Sequence, residues 1–302
     1  MQNTIPVAVV GAGRFGRKHV EKYVLDARAS LVAIVDPNPA LEGLARHHGA
    51  LWFPSLAALP PGLVRAASVA VPNAAHYATS AALMRAGIDV LVEKPFTVRL
   101  DEADALIAIA RSGERILQVG HVERFNPAVL ALQPEALPFE RVDALRRGPV
   151  PLSGAVPDVV LDLMIHDIEL VVHWAGTQPV DVTARGESAR YPAIDRAQAT
   201  LHFPGGAVAE LAAERGAPWR MLDVVARDRQ VRIDCLAGRA HDGDAPLDVP
   251  LRDALAAEIS AFLDAVEQRS TPVVTGLDAR GALGVALRVR ECIFAARYDP
   301  AA

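Results

Sequence analysis

Only two cysteines, Cys235 and Cys292, occur in the 302 residues of this chain. They lie far apart without the spacing of metal ligands, which argues against a disulfide framework or a structural zinc site and favours a reducing cytoplasm. No apolar run is long and uninterrupted enough to span a bilayer. The opening MQNTIPVAVVGAG has no charged region leading into a signal core, so a soluble, unprocessed chain with no membrane partner is expected. Basic excess is missing too: 31 Lys and Arg stand against 36 Asp and Glu, a formal net charge of -5. Sequence-independent nucleic-acid binding needs a basic face and is not expected. The stretch ARDRQVR at 226–232 alternates arginines with acids and apolar residues, as a solvated strand face does. Neither a fixed-period repeat nor a low-complexity tract is present.

What remains is a chain 51% apolar by composition, enough for one large domain or two ordinary ones. Up to about residue 120, the short runs IPVAVV, LVAIVD, ASVAVP, DVLVEKP and RILQVG alternate with helical segments such as RFGRKHVEKYVLDA and LDEADALIAIARSG. Continuous apolar strands separated by helices predict a doubly wound parallel sheet covered on both faces. Beyond that point two helical segments, near 124–133 and 158–174, precede the alternating strands VDVTARGES, AQATLHF, AVAELAAER, RMLDVVARD and QVRIDCLA. With FPGGA at 203–207 as a hairpin turn, these predict a mainly antiparallel sheet, closed by two C-terminal helices. The fold class is therefore α/β, a Rossmann-type domain over residues 1–120 followed by an α/β domain over 121–302.

The first strand runs into GAGRFG, which places Gly11, Gly13 and Gly16 at G-x-G-x-x-G spacing, with Arg14 and Phe15 between them. Gly11 suits the tight turn, Gly13 a close backbone approach to a pyrophosphate, and Gly16 the packing of helix on strand. The helix start offers N–H groups to the phosphate charge. The second strand ends in Asp36, about twenty residues on, where a carboxylate accepts ribose hydroxyls and repels a 2′-phosphate; NAD is favoured over NADP. Two further strand ends face the same side of such a sheet: Pro72, Asn73 and His76 in VPNAAH, and Glu93 and Lys94 in EKP. In VVLDLMIHDIELVVHW, Asp162, His166, Glu169 and His173 recur at spacings of four, three and four, one stripe of an α-helix. That spacing matches neither H-E-x-x-H nor a repeated E-x-x-H, so no metal is expected. The segment GHVERFNP follows the last Rossmann strand and is expected to line an interdomain cleft. There Glu123, Arg124 and Asn126 supply an acceptor, a planar bidentate donor and an amide, a set suited to sugar hydroxyls or a diphosphate.

With GAGRFG, Asp36, VPNAAHY, VEKPF and DLMIHD in order, the chain resembles the Gfo/Idh/MocA family of nicotinamide-dependent sugar and cyclitol dehydrogenases over nearly its full length. The resemblance implies a Rossmann domain and a substrate domain that commonly mediates homodimers or homotetramers. VGHVERFNPAV, DVVLDLMIHDIEL and RRGPVP are similar to a branch acting on the 3-hydroxyl of UDP-N-acetylglucosamine, whereas PLSGAVP at 151–157 has no counterpart there. A small-molecule sugar or sugar nucleotide is the implied substrate. Oxidising a secondary alcohol needs a proton acceptor near neutrality, and His166 is the first choice. Asp162 can orient its ring or bind a sugar hydroxyl, and Lys94 can stabilise the alkoxide or act as base itself. The resemblance implicates the same three positions. Two other readings stand beside this one: a dehydrogenase of a free sugar or cyclitol, and a nicotinamide-binding sensor without turnover, which Lys94, Asp162 and His166 together disfavour.

Overall fold

Short apolar runs assemble the first sheet. β1 (Ile5–Val10), β2 (Ala29–Val35), β3 (Leu51–Phe53), β4 (Ala66–Val69), β5 (Asp89–Glu93) and β6 (Leu117–Gly120) pair in the order β3-β2-β1-β4-β5-β6, every pair parallel. This is the doubly wound dinucleotide-binding order. Helices α1 (Gly16–Leu25), α2 (Glu42–His47), α3 (His76–Arg85) and α4 (Leu100–Ser112) connect the strands. β4 and β5 are buried at every position, the mark of a sheet covered on both faces. The computed structural model describes residues 4–132, 139–150, 157–227 and 229–298; the segment 151–156 singled out above lies outside them.

The second sheet has eight strands: β7 (Arg141–Gly148), β8 (Asp181–Glu187), β9 (Arg196–His202), β10 (Val208–Arg215), β11 (Trp219–Ala226), β12 (Arg229–Asp234), β13 (Arg239–Asp242) and β14 (Ala245–Pro246). Their order is β14-β13-β12-β11-β7-β10-β9-β8, antiparallel throughout except for β7 beside β10. The central strand β7 was not among the strands expected from sequence. Its inward positions are Val142, Ala144, Arg146 and Gly148. An arginine and a glycine at two of the four disguise the alternation that marks a half-buried strand. Gly148 leaves room there for Leu163, whose Cδ2 would stand 2.6 Å from a Cβ. Helices α5 (Pro127–Leu130) and α6 (Ile165–Ala175) belong to the same unit, and the buried face of α6 joins a core with Val142, Leu201, Leu211 and Val224.

The last two helices are α7 (Ala254–Gln268) and α8 (Gly276–Tyr298). They correct the expectation of a single cut near Gly120. One compact unit comprises Met1–Val122 with Ala254–Arg280, the other Glu123–Asp253 with Gly281–Ala302. The reason is the apolar stripe of α7: Leu255, Ile259, Phe262, Leu263 and Val266 share one core with Val7, Val20, Tyr23 and Ile34. A helix that returns to the first core after 131 intervening residues leaves no trace in chain order.

Candidate active site

In the first unit the glycine loop has the geometry its spacing implies. Gly11 sits at φ +82°, where a Cβ would lie 2.7 Å from the Ala70 carbonyl oxygen, and at Gly16 it would fall 1.8 Å from that of Gly11. At Gly13 an added Cβ would meet nothing within 4 Å, so the outer side of the loop stays open to a ligand's backbone approach. Gly13 and Arg14 are exposed, Phe15 is half-buried, and no side chain caps α1. Asp36 accepts the Ala12 N–H and the Asn38 N–H, both at 2.9 Å, so it braces the loop while keeping lone pairs for hydroxyl donors. These features fit a nicotinamide dinucleotide.

The other strand ends divide. Pro72 and Asn73, at the end of the β4 connection, are exposed. His76 is 1% exposed instead, its Nδ1 2.8 Å from the Pro95 oxygen and its Nε2 3.0 Å from that of Val71. Burial lowers its pKa, and in the neutral form its one N–H donates to one of these two carbonyls; sequence placed it among ligand contacts. Glu93 also turns inward. Its Oε1 is 2.9 Å from His19 Nε2, and His19 Nδ1 is 3.0 Å from Ser68 Oγ, which is 2.8 Å from the Tyr23 hydroxyl. Gly120 lacks the Cβ that would stand 2.7 Å from that carboxylate. Lys94, the next residue, is half-buried at the carboxyl end of β5.

In the second unit the expected stripe is interrupted. Val160–Met164 forms a π-helical turn that leads into α6. Because a π-turn closes on i+5, a spacing of four inside it does not hold the same face. Asp162 meets Arg215 at 2.8 Å, and Glu169 meets Arg124 at 2.7 Å. His166 lies in the first turn of α6 at 9% exposure, while His173 near its end is exposed. Three further residues expected to face substrate are used inside the unit. Glu123 is 2% exposed and accepts from Arg146 at 2.7 Å, Arg220 at 3.2 Å and Asn126 at 2.8 Å. Asn126 caps α5 through the Ala128 N–H and donates to the Cys235 oxygen. Arg124 is drawn to Glu169.

Arg146, 1% exposed, joins this group with a fork on Asp167 at 2.6 to 3.1 Å. Burial works against the charge of Glu123, but Arg146 and Arg220 hold its carboxyl below the usual carboxylate range. For Asp167 burial wins and lifts the pKa, yet the bidentate fork keeps it ionised. Sequence reasoning passed over Arg146, Arg215 and Asp167; the RRGPVP motif and the HD pair were the available signals. Among the described residues no group of three or more His, Cys, Asp or Glu side chains converges as a metal site would, and no helix is long and apolar enough to cross a membrane.

Comparison with known proteins follows these two halves. Residues 5–121 match the model of an oxidoreductase family with an NAD-binding Rossmann fold, and residues 156–241 match a GFO/IDH/MocA C-terminal domain. The chain is 35% identical to a UDP-N-acetylglucosamine 3-dehydrogenase of Acidithiobacillus ferrooxidans, over 94% of this chain and 96% of that protein. A solved structure of that Acidithiobacillus enzyme superposes with a TM-score of 0.91, covering 97% of this chain and 98% of the other. A scyllo-inositol 2-dehydrogenase (NAD(+)) of Bacillus subtilis is 26% identical over 92% of this chain and 91% of its own.

Proposed function

The chain belongs to the Gfo/Idh/MocA family of NAD-binding oxidoreductases, and we propose that it oxidises the 3-hydroxyl of UDP-N-acetylglucosamine, or of a closely related UDP-sugar, to a ketone in amino-sugar synthesis. The observation that carries this reading is end-to-end similarity to the Acidithiobacillus enzyme, at higher identity than to the inositol dehydrogenase.

Bound nicotinamide supplies the hydride acceptor that no side chain provides. The open side of Gly13 and the uncapped start of α1 receive the pyrophosphate, and Asp36 receives ribose hydroxyls, its charge disfavouring a 2′-phosphate. Pro72 and Asn73, both exposed, would contact the nicotinamide end of the cofactor. His166 takes the hydroxyl proton, because imidazole changes charge near neutrality. Lys94 stabilises the oxygen as negative charge develops on it. Asp162, held by Arg215, accepts from a neighbouring sugar hydroxyl.

The test offers UDP-N-acetylglucosamine, free N-acetylglucosamine and myo-inositol with NAD and a ketone trap, and follows reduced cofactor at its near-ultraviolet absorbance. Turnover of the nucleotide sugar is expected, falling by about 10²–10⁴ in His166→Ala and comparably in Lys94→Ala. Brisk oxidation of inositol or the free sugar with none of the nucleotide sugar contradicts the substrate; unchanged rates in both variants contradict the roles. The same reading assigns the uncovered face of the eight-stranded sheet, which carries Thr183, Met221 and Trp219, the last 48% exposed, to a homodimer or homotetramer contact. Light scattering that returns a monomer contradicts that assignment.

A further inference from the structure

A cavity of about 240 Å³ lies within the second unit, and of its lining residues only Arg215, which holds Asp162, has a part in the roles assigned above. Arg147, Arg190, Asp195, Arg196, Glu214 and Arg215 line it, so four guanidiniums face two carboxylates. Two of the arginines also reach acids outside the lining, Arg196 meeting Glu187 at 3.0 Å and Arg215 meeting Asp162 at 2.8 Å. Asp195 is spent on the backbone: it accepts the N–H groups of Ala189, Arg190 and Tyr191 at 3.0, 2.6 and 3.2 Å. Glu214 is shared between Arg147 and Arg196. Arg190 is exposed, and its charge also acts on Asp195.

Arg215 is the buried member. Its side chain is 4% exposed; it donates to Asp162 at 2.8 Å and to the Pro157 oxygen at 2.7 Å, and its buried Nε has no hydrogen-bond partner. A buried guanidinium with a donor to spare, beside three more guanidiniums, favours an anion with several acceptor oxygens. Size narrows the choice, because the cavity is smaller than the roughly 300–1,000 Å³ of pockets that enclose a whole drug-sized ligand. It suits a charged fragment of a larger molecule. Arg215 also ties the cavity to Asp162, four residues before His166 on the same helical segment. Arg124, which sequence offered for this task, is taken by Glu169.

We propose that this cavity is the diphosphate subsite for a nucleotide sugar, with Arg190 and Arg196 as its exposed forks and Arg215 as its fixed wall. This rests on the substrate reading above, and the test separates the two. Titration calorimetry on the full chain measures UDP and inorganic pyrophosphate binding to the wild type and to Arg190→Ala/Arg196→Ala, and steady-state kinetics follow UDP-N-acetylglucosamine. Both exchanged residues sit at the surface, and matching circular dichroism and melting temperature verify the fold. Expected are Kd values for both ligands raised about tenfold or more and a KM raised similarly, with kcat at saturation within about twofold, since lost charged hydrogen bonds weaken binding rather than chemistry. Unchanged Kd values in the folded variant overturn the subsite. If the wild type oxidises the nucleotide sugar and the variant keeps its KM, the subsite falls and the substrate reading stands. If the wild type does not oxidise it but pyrophosphate binding is lost in the variant, the subsite stands and the substrate reading falls.

Discussion

In the second unit Arg146 is buried between Glu123 and Asp167, with Arg220 reaching the same Glu123, so both of these buried acids have a cation on them. In the first unit Asp89 is matched in the same way, by Arg269 at 2.6 Å, but two other buried acids are handled differently. Glu93 leans on His19, and Glu258 of α7, fully buried, has no hydrogen-bond partner for either carboxyl oxygen among the described residues. Burial first, and then the Glu93 carboxylate, push the Glu258 pKa well above the usual carboxylate range. Gln118, which donates to the Glu258 backbone oxygen at 3.0 Å, has its own Oε1 unpartnered. Matched opposite charges stay ionised across neutral pH and act as a fixed brace. An acid buried without a cation is held as a neutral group, and its stability contribution depends on pH.

The largest expected effect comes from breaking the matched cluster. Arg146→Met leaves two buried carboxylates without their cation and should cost about 3–5 kcal/mol in urea unfolding. Adding Glu123→Gln and Asp167→Asn should recover much of that loss. A single variant as stable as wild type would show that the cluster does not hold β7 and α6.

The unmatched acid gives a smaller effect with a definite sign. Folded Glu258 keeps its proton to higher pH than the unfolded chain does, so its stability is fully present below the ordinary carboxyl value and is lost as pH rises toward the raised folded value. Glu258→Gln keeps the shape and removes the titration. It should flatten this part of the pH dependence and gain about 1–2 kcal/mol at the alkaline end. Parallel melting curves for the two proteins between pH 5 and 9 would refute it.

Asp36 completes the series as an acid that stays near the surface of the first unit. Asp36→Asn retains the acceptor on one oxygen but loses the charge, and should raise the KM for NAD about tenfold, equivalent to about 1.4 kcal/mol. The preference for NAD over NADP should narrow with it. An unchanged cofactor ratio would remove Asp36 from the site.

The comparison also shows which parts of the molecule could be read from residues alone. The first sheet was readable because parallel strands buried on both faces are continuous apolar runs bounded by turn residues; only the three-residue edge strand β3 was too short to register. The second sheet was readable except at β7, where Arg146 and Gly148 occupy core positions, and at the short strands β13 and β14. The glycine loop was readable because its spacing is a backbone requirement. His76, Glu123, Arg124 and Asn126 were not, because residue type does not reveal direction: each is a polar group beside a candidate site whose partner lies in another element. The π-turn at Val160–Met164 escaped for a related reason, since a regular helix was assumed where the register changes.

In the proposed reaction hydride leaves C3 of the sugar. UDP-N-acetylglucosamine carrying deuterium at C3 tests it directly, with NAD and a ketone trap and mass spectrometry of the reduced cofactor. Deuterium in the reduced nicotinamide and a 3-keto product are expected. Turnover that leaves the label on the sugar, or no turnover while inositol is oxidised, would contradict the account.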